Sequence, residues 1–154
     1  IRALMPDCVI RTSLIVGFPG ETEEDFSELS AFVAEGWFDR LGVFSYSQEE
    51  HTPAADFPDQ IPEKVKEERR QKLMELQQKI SLEKNQKKIG SVLEVLVEGY
   101  EEESYLYFGR SRGDSIGVDS TVYFGAAEEL FAGDLVRVRI VDADEYDLTG
   151  EQVL

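Results

Sequence analysis

The sequence predicts an α/β unit followed by a small all-β unit, with a long helix between them. Three observations carry that prediction. The first 47 residues read strand, helix, strand, with a glycine-rich turn after the first strand. Residues 63–88 read as one helix. After Gly90, five short segments alternate apolar and polar residues between Gly and Asp signals, the pattern of a small antiparallel barrel. The expected division is 1–62 for the α/β part, 63–89 for the linker helix and 90–154 for the barrel.

The first strand lies within VIRTSLIVGF, residues 9–18. It is apolar on both faces from Leu14 to Val16, as expected of a parallel strand covered on both sides. Thr22 is placed to cap the next helix, with Asp25 completing a capping box. Glu23, Glu24 and Asp25 stand in the first turn, where the helix dipole favours negative charge. Phe26, Leu29, Phe32 and Val33 supply its apolar stripe, and Gly36 stops it. RLGVFSYS, residues 40–47, is the second strand, parallel to the first through a right-handed crossover.

A connector with three prolines fills 48–62, and Pro62 sits near the start of the long helix. Its apolar stripe, Val65, Leu73, Met74, Leu76 and Ile80, is sparse. Nine bases against five acids make this helix locally positive. The barrel strands are sought in 91–99, 104–110, 119–124, 134–141 and 145–154. Val136, Val138 and Ile140 should face its core, with Arg137 and Arg139 outward.

The formal net charge of the 154 residues is −16, and residues 90–154 carry 15 acids against four bases. Such a surface repels phosphate backbones and attracts basic partners, which argues against nonspecific nucleic-acid binding. One cysteine, Cys8, excludes a disulfide within the chain, so a reduced, cytoplasmic setting is expected. No apolar run approaches the roughly 20 residues needed to span a bilayer, and no membrane partner is expected. His51 stands alone, without a second ligand at metal spacing. Cys8, just before a strand, reads as packing, and the Arg-Gly-Asp at 112–114 as a chance turn sequence. Tyr100, Tyr105, Tyr107, Phe108 and Tyr123 divide between core and surface, and the acids around them disfavour stacking on RNA.

Gly17-Phe18-Pro19-Gly20-Glu21 ends the first strand at the edge where β/α folds bind ligands. A tight turn that simply needs its glycines explains it equally well. It is not a phosphate loop, because no Gly-Lys-Ser/Thr follows.

IRTSLIVGFPGETEEDF together with VFSYSQEEHTPAA resembles the late strands of the radical S-adenosylmethionine barrel in the methylthiotransferase family. IPEKVKEERRQKLMELQQKIS resembles that family's link into a C-terminal TRAM barrel, and VLEVLVEG, YFGRS, AGDLVRVRI and EYDLTGE resemble the barrel itself. The tRNA-modifying members show Ser-x-Arg-x-Gly-Thr after the late strand; here Ser47-Gln48-Glu49-Glu50-His51-Thr52 stands instead. The paired glutamates and EYDLTGE resemble the RimO branch, which methylthiolates an aspartate of a ribosomal protein. An acidic barrel suits such a basic protein better than it suits tRNA. His51 replaces the usual Gly, and 111–124 departs from the usual Ala-Pro-x-x-Asp-Gly segment.

The resemblance implies a C-terminal segment of an enzyme that transfers a methylthio group to an aspartate β-carbon. It implies S-adenosylmethionine and two [4Fe-4S] clusters as cofactors, with a 5'-deoxyadenosyl radical abstracting the hydrogen. The cluster cysteines are absent from this sequence, so the isolated chain is expected to be inactive and to need the N-terminal domain and radical core as partners. No catalytic or metal-ligating residue is assigned. Ile15, Gly17 and Phe44 are the candidates for the adenine side of the cofactor pocket. Glu101, Glu102 and Glu103 are the candidates for steering the protein substrate, a basic small-subunit ribosomal protein. Two alternatives remain open: a tRNA methylthiotransferase segment, favoured by the basic helix, and a non-catalytic module that docks a basic partner.

Overall fold

A computed structural model describes residues 1–153, so Leu154, the last residue of the fifth strand segment, lies outside it. The residues divide into two compact units, one running from Val9 to Ile80 and the other from Ser81 onward together with Ile1–Cys8.

In the first unit, β1 (Arg11–Val16) and β2 (Arg40–Ser45) pair in parallel on either side of α1 (Glu23–Ala34). The capping box is formed: Asp25 N–H donates to Thr22 Oγ1, and Thr22 N–H donates to the Asp25 carboxylate. Gly36, at φ 73°, gives its N–H to the Val33 carbonyl and ends the helix. Val16, Phe26, Val33, Val43 and Leu73 form the core, so β1 and β2 bury one face against α1 and α2 (Glu63–Gln86). Their other face is open, with Ile15 59% exposed. Within the described residues nothing packs on that second face. A one-turn 3-10 helix, Pro53–Asp56, lies in the connector.

The buried row of α2 is mostly polar. Lys66, Arg69, Leu73, Gln77, Ser81 and Asn85 recur at three- and four-residue spacing, and all are buried. An apolar stripe looked sparse because polar side chains occupy most of that face.

In the second unit, β3 (Val92–Glu101), β4 (Leu106–Ser111), β5 (Val122–Gly125), β6 (Leu135–Ala143) and β7 (Leu148–Gln152) close a barrel in the order β3-β4-β5-β7-β6. The expected all-antiparallel barrel is corrected here, because β5 and β7 run parallel. Parity requires it: five strands in a closed ring cannot alternate direction throughout. Irregularities at Val97/Gly99 and Ile140/Asp142 bend β3 and β6. A Cβ on Gly109 would stand 2.1 Å from the Leu96 carbonyl oxygen, so only glycine lets β4 approach β3 there.

Val95, Val97, Val122, Phe124, Val138, Ile140 and Leu148 fill the barrel, and each such side chain contributes about 1.5–3 kcal/mol on burial. Val136 packs against them, while Arg137 and Arg139 point outward. The Asn85 side chain donates to the Asp144 carbonyl at 3.0 Å and accepts from Lys88 Nζ, tying the end of α2 to the β6–β7 turn. Cys8 is a free, half-buried thiol outside both cores.

Candidate functional site

Ile15 and Phe44 are register partners across β1 and β2, and both are more than half exposed. Gly42, two residues before Phe44, makes their arrangement flat: a Cβ there would stand 3.3 Å from the Phe44 ring, so the ring lies back over the glycine. The result is an open apolar platform beside the C-terminal ends of two parallel strands. It can stack a flat ring, which is how an adenine would be held.

Gly17 is not part of that platform. It is buried past the end of β1 at φ 75°, and a Cβ on it would meet Lys66 Cγ at 2.4 Å. Its N–H donates to Glu21 Oε2 at 2.9 Å. Glu21 Oε1 in turn accepts from Arg69 Nη1 at 2.6 Å, while Arg69 Nη2 reaches Glu23 Oε1 at 2.6 Å. Burial lowers the Arg69 pKa, but the carboxylates of Glu23 and Glu21 outweigh it and raise the value overall. The hydrogen bond from Arg69, aided by its charge, holds Glu23 below the ordinary carboxylate range. The first-turn acids of α1 therefore answer a cation of the same chain.

Lys66 Nζ donates to the Tyr46 carbonyl at 3.0 Å and to Glu63, and lies over the Tyr46 ring. Phe18 packs edge-on against Tyr46 and Phe57, and Gly20 N–H donates to the Asp59 carbonyl. The Tyr46 hydroxyl is buried without a hydrogen-bond partner, leaving polar capacity at this strand end. The exposed Ile15–Phe44 surface suits a flat ring such as an adenine, and the Tyr46 hydroxyl, being buried, is not part of it. Among the described residues no three His, Cys, Asp or Glu side chains gather as metal ligands.

Lys66, Arg69, Glu21 and Tyr46 were not singled out by sequence reasoning. The signal was present: counting back four and seven residues from Leu73, the anchor of the stripe, lands on Arg69 and Lys66. His51 adopts φ 66°. That left-handed geometry favours glycine, and histidine is among the side chains that tolerate it. Glu49 accepts from Ser47 Oγ, and Glu50, His51 and Asp56 line an open cleft.

The second candidate lies on the barrel. Glu101, Glu102 and Glu103 are exposed at the β3–β4 connection, next to Tyr105 at φ 59°. Burial raises the Tyr123 pKa, and the charges of Asp147, Glu101 and Asp144 raise it further. By strand register the β3–β4 connection and the β6–β7 turn lie at opposite ends of the barrel, with Tyr123 on the strand between them. Asp144 and Asp147, which sequence reasoning did not single out, also build the β6–β7 turn. Asp144 Oδ1 accepts from the backbone of Tyr146 and Asp147, and Asp147 accepts from Thr121 N–H. No helix is long and apolar enough to cross a membrane among the described residues.

Comparison with known proteins adds two findings. Residues 89–153 match the TRAM domain. The chain is 56% identical, over its whole length, to the ribosomal protein uS12 methylthiotransferase RimO of Pelotomaculum thermopropionicum. It is 53% identical over 98% of its length to the proteins of that name from Clostridioides difficile and Geobacter sulfurreducens. It covers 35%, 34% and 34% of these relatives, respectively, so the chain spans about a third of their length.

Proposed function

The chain belongs to the RimO-type methylthiotransferases as a C-terminal segment carrying a TRAM domain, and from that premise we propose its part in the activity of the whole enzyme. Residues 1–62 form the closing part of a radical S-adenosylmethionine barrel, 63–89 the linker helix and 90–154 the barrel that meets the substrate. The whole enzyme transfers a methylthio group to the β-carbon of an aspartate in the basic ribosomal protein uS12, in the cytoplasm. The observation that carries this reading is the likeness to uS12 methylthiotransferases along the whole chain, not the barrel alone.

S-adenosylmethionine, when bound and cleaved, supplies the group that abstracts the hydrogen. Ile15 and Phe44 give its adenine an apolar surface that excludes water from one side. Gly17 shapes the turn beside it, while Lys66 and Tyr46 fill the strand ends. Both iron-sulfur clusters belong to the parts of the enzyme outside this segment, and this segment alone is inactive.

Glu101, Glu102 and Glu103 steer the basic substrate onto the barrel. Two of the nine bases of the helix, Lys66 and Arg69, are buried against acids and carbonyls of their own chain, which reduces the positive surface a tRNA enzyme would use. Titration of the whole chain with purified uS12 and with tRNA, across a salt series, tests the substrate assignment. Binding of uS12 that weakens as salt rises, without binding of tRNA, is expected. Preference for tRNA would overturn the assignment.

A further inference from the structure

One helix of this segment touches the ends of both parallel strands. The Lys66 stem fills the space over Gly17, where even a methyl group would collide at 2.4 Å, and its ammonium reaches the Tyr46 carbonyl just beyond β2. One turn further along, Arg69 holds Glu21 in the orientation that accepts the Gly17 N–H. Both cations are 5% exposed, so each contact is made with little competition from water. Arg69 also spans Glu21 and Glu23, which a lysine's single ammonium on its flexible stem would not do with the same fork. Surface pairs on the same helix, such as Arg70 with Glu67, have no such reach.

We propose that Lys66 and Arg69 are positioning residues that lock the Gly17–Glu23 turn and the Tyr46 end of β2, and so set the edge on which S-adenosylmethionine rests. The proposal rests on reading that edge as the cofactor pocket. The linker helix is then part of the cofactor site through the residues it fixes, without touching the cofactor itself.

The test uses the full-length enzyme bearing this segment, as parent and as Arg69→Gln, Lys66→Met, Glu21→Gln and the surface control Arg70→Gln. Amide hydrogen exchange at Gly17 reads the lock, and equilibrium dialysis with S-adenosylmethionine reads the site. In Arg69→Gln, Gly17 should exchange about tenfold faster. Affinity should fall about tenfold in Arg69→Gln and Lys66→Met, while Arg70→Gln matches the parent. Glu21→Gln, an isostere that keeps the fold if Arg69→Gln does not, should share both effects.

Unchanged exchange at Gly17 would overturn the lock, whatever happens to the cofactor. Faster exchange with parental affinity would overturn the positioning role. In either case an Ile15→Asp variant separates the two levels. Weakened binding in Ile15→Asp would leave the pocket standing and reject the lock alone, whereas parental binding there would remove the pocket reading as well.

Discussion

Gly17 shows how one residue couples sequence to site. Its positive φ disfavours any side chain, and the Lys66 stem occupies the place where a Cβ would go. Gly17→Ala should therefore destabilise the α/β unit by about 1–2 kcal/mol from backbone geometry alone, with overpacking against Lys66 added; thermal melting of the two chains checks this. Tyr123 is the corresponding reporter in the barrel. Its raised pKa comes from burial first, then from Asp147, Glu101 and Asp144. The neutral phenol is the favoured folded form, so its contribution is complete below about pH 10 and lost as pH rises through the raised value. Glu101→Gln should move the Tyr123 titration down towards the ordinary tyrosine value, read by ultraviolet absorbance in alkali. An unmoved titration would mean that Glu101 does not face Tyr123.

At the scale of elements, α1 depends on its first turn. Thr22→Ala should cost about 1 kcal/mol by removing the cap. Hydrogen bonds from the Thr22 side chain and backbone lower the Asp25 pKa, and Arg69 lowers that of Glu23. Groups with depressed values stabilise the fold fully above their unfolded pKa, so this contribution is complete above the ordinary carboxylate range of about 4 and disappears as pH falls through the lowered folded values. Thermal melts between neutral and acidic pH should show the loss, and Asp25→Asn should flatten it. In the barrel, Leu148 is 2% exposed and packs against the central valines. Leu148→Ala should cost about 2–5 kcal/mol, measured by urea unfolding. The order of these elements was legible in the sequence because α1 and the strands signal locally, through a cap, a stop glycine and alternation. Two features were not. The parallel β5–β7 pair follows from closing an odd ring, and no single strand records that. The buried face of α2 escaped because its residues are Lys, Arg, Gln, Ser and Asn, whose burial depends on partners distant in sequence such as Glu21 and Asp144.

For the whole molecule, charge and covering decide what the segment does. The barrel is strongly acidic, while two cations of the basic helix are turned inward onto the strand-end turn. The sequence named Ile15 and Phe44 as neighbours, and the parallel register places them side by side on an open face. It grouped Gly17 with them, whereas the structure buries Gly17 beneath Lys66. That difference arises because a glycine motif records the need for space without recording what fills it. The central claim is that this chain is a working segment of a uS12 methylthiotransferase. The most direct test is a chimaera in which it replaces the matching third of a relative, expressed in cells lacking their own enzyme, with uS12 and tRNA analysed by mass spectrometry. The account predicts a methylthio group on one uS12 aspartate and none added to tRNA. A folded, cluster-loaded chimaera that leaves uS12 unmodified, or that methylthiolates tRNA instead, would contradict it.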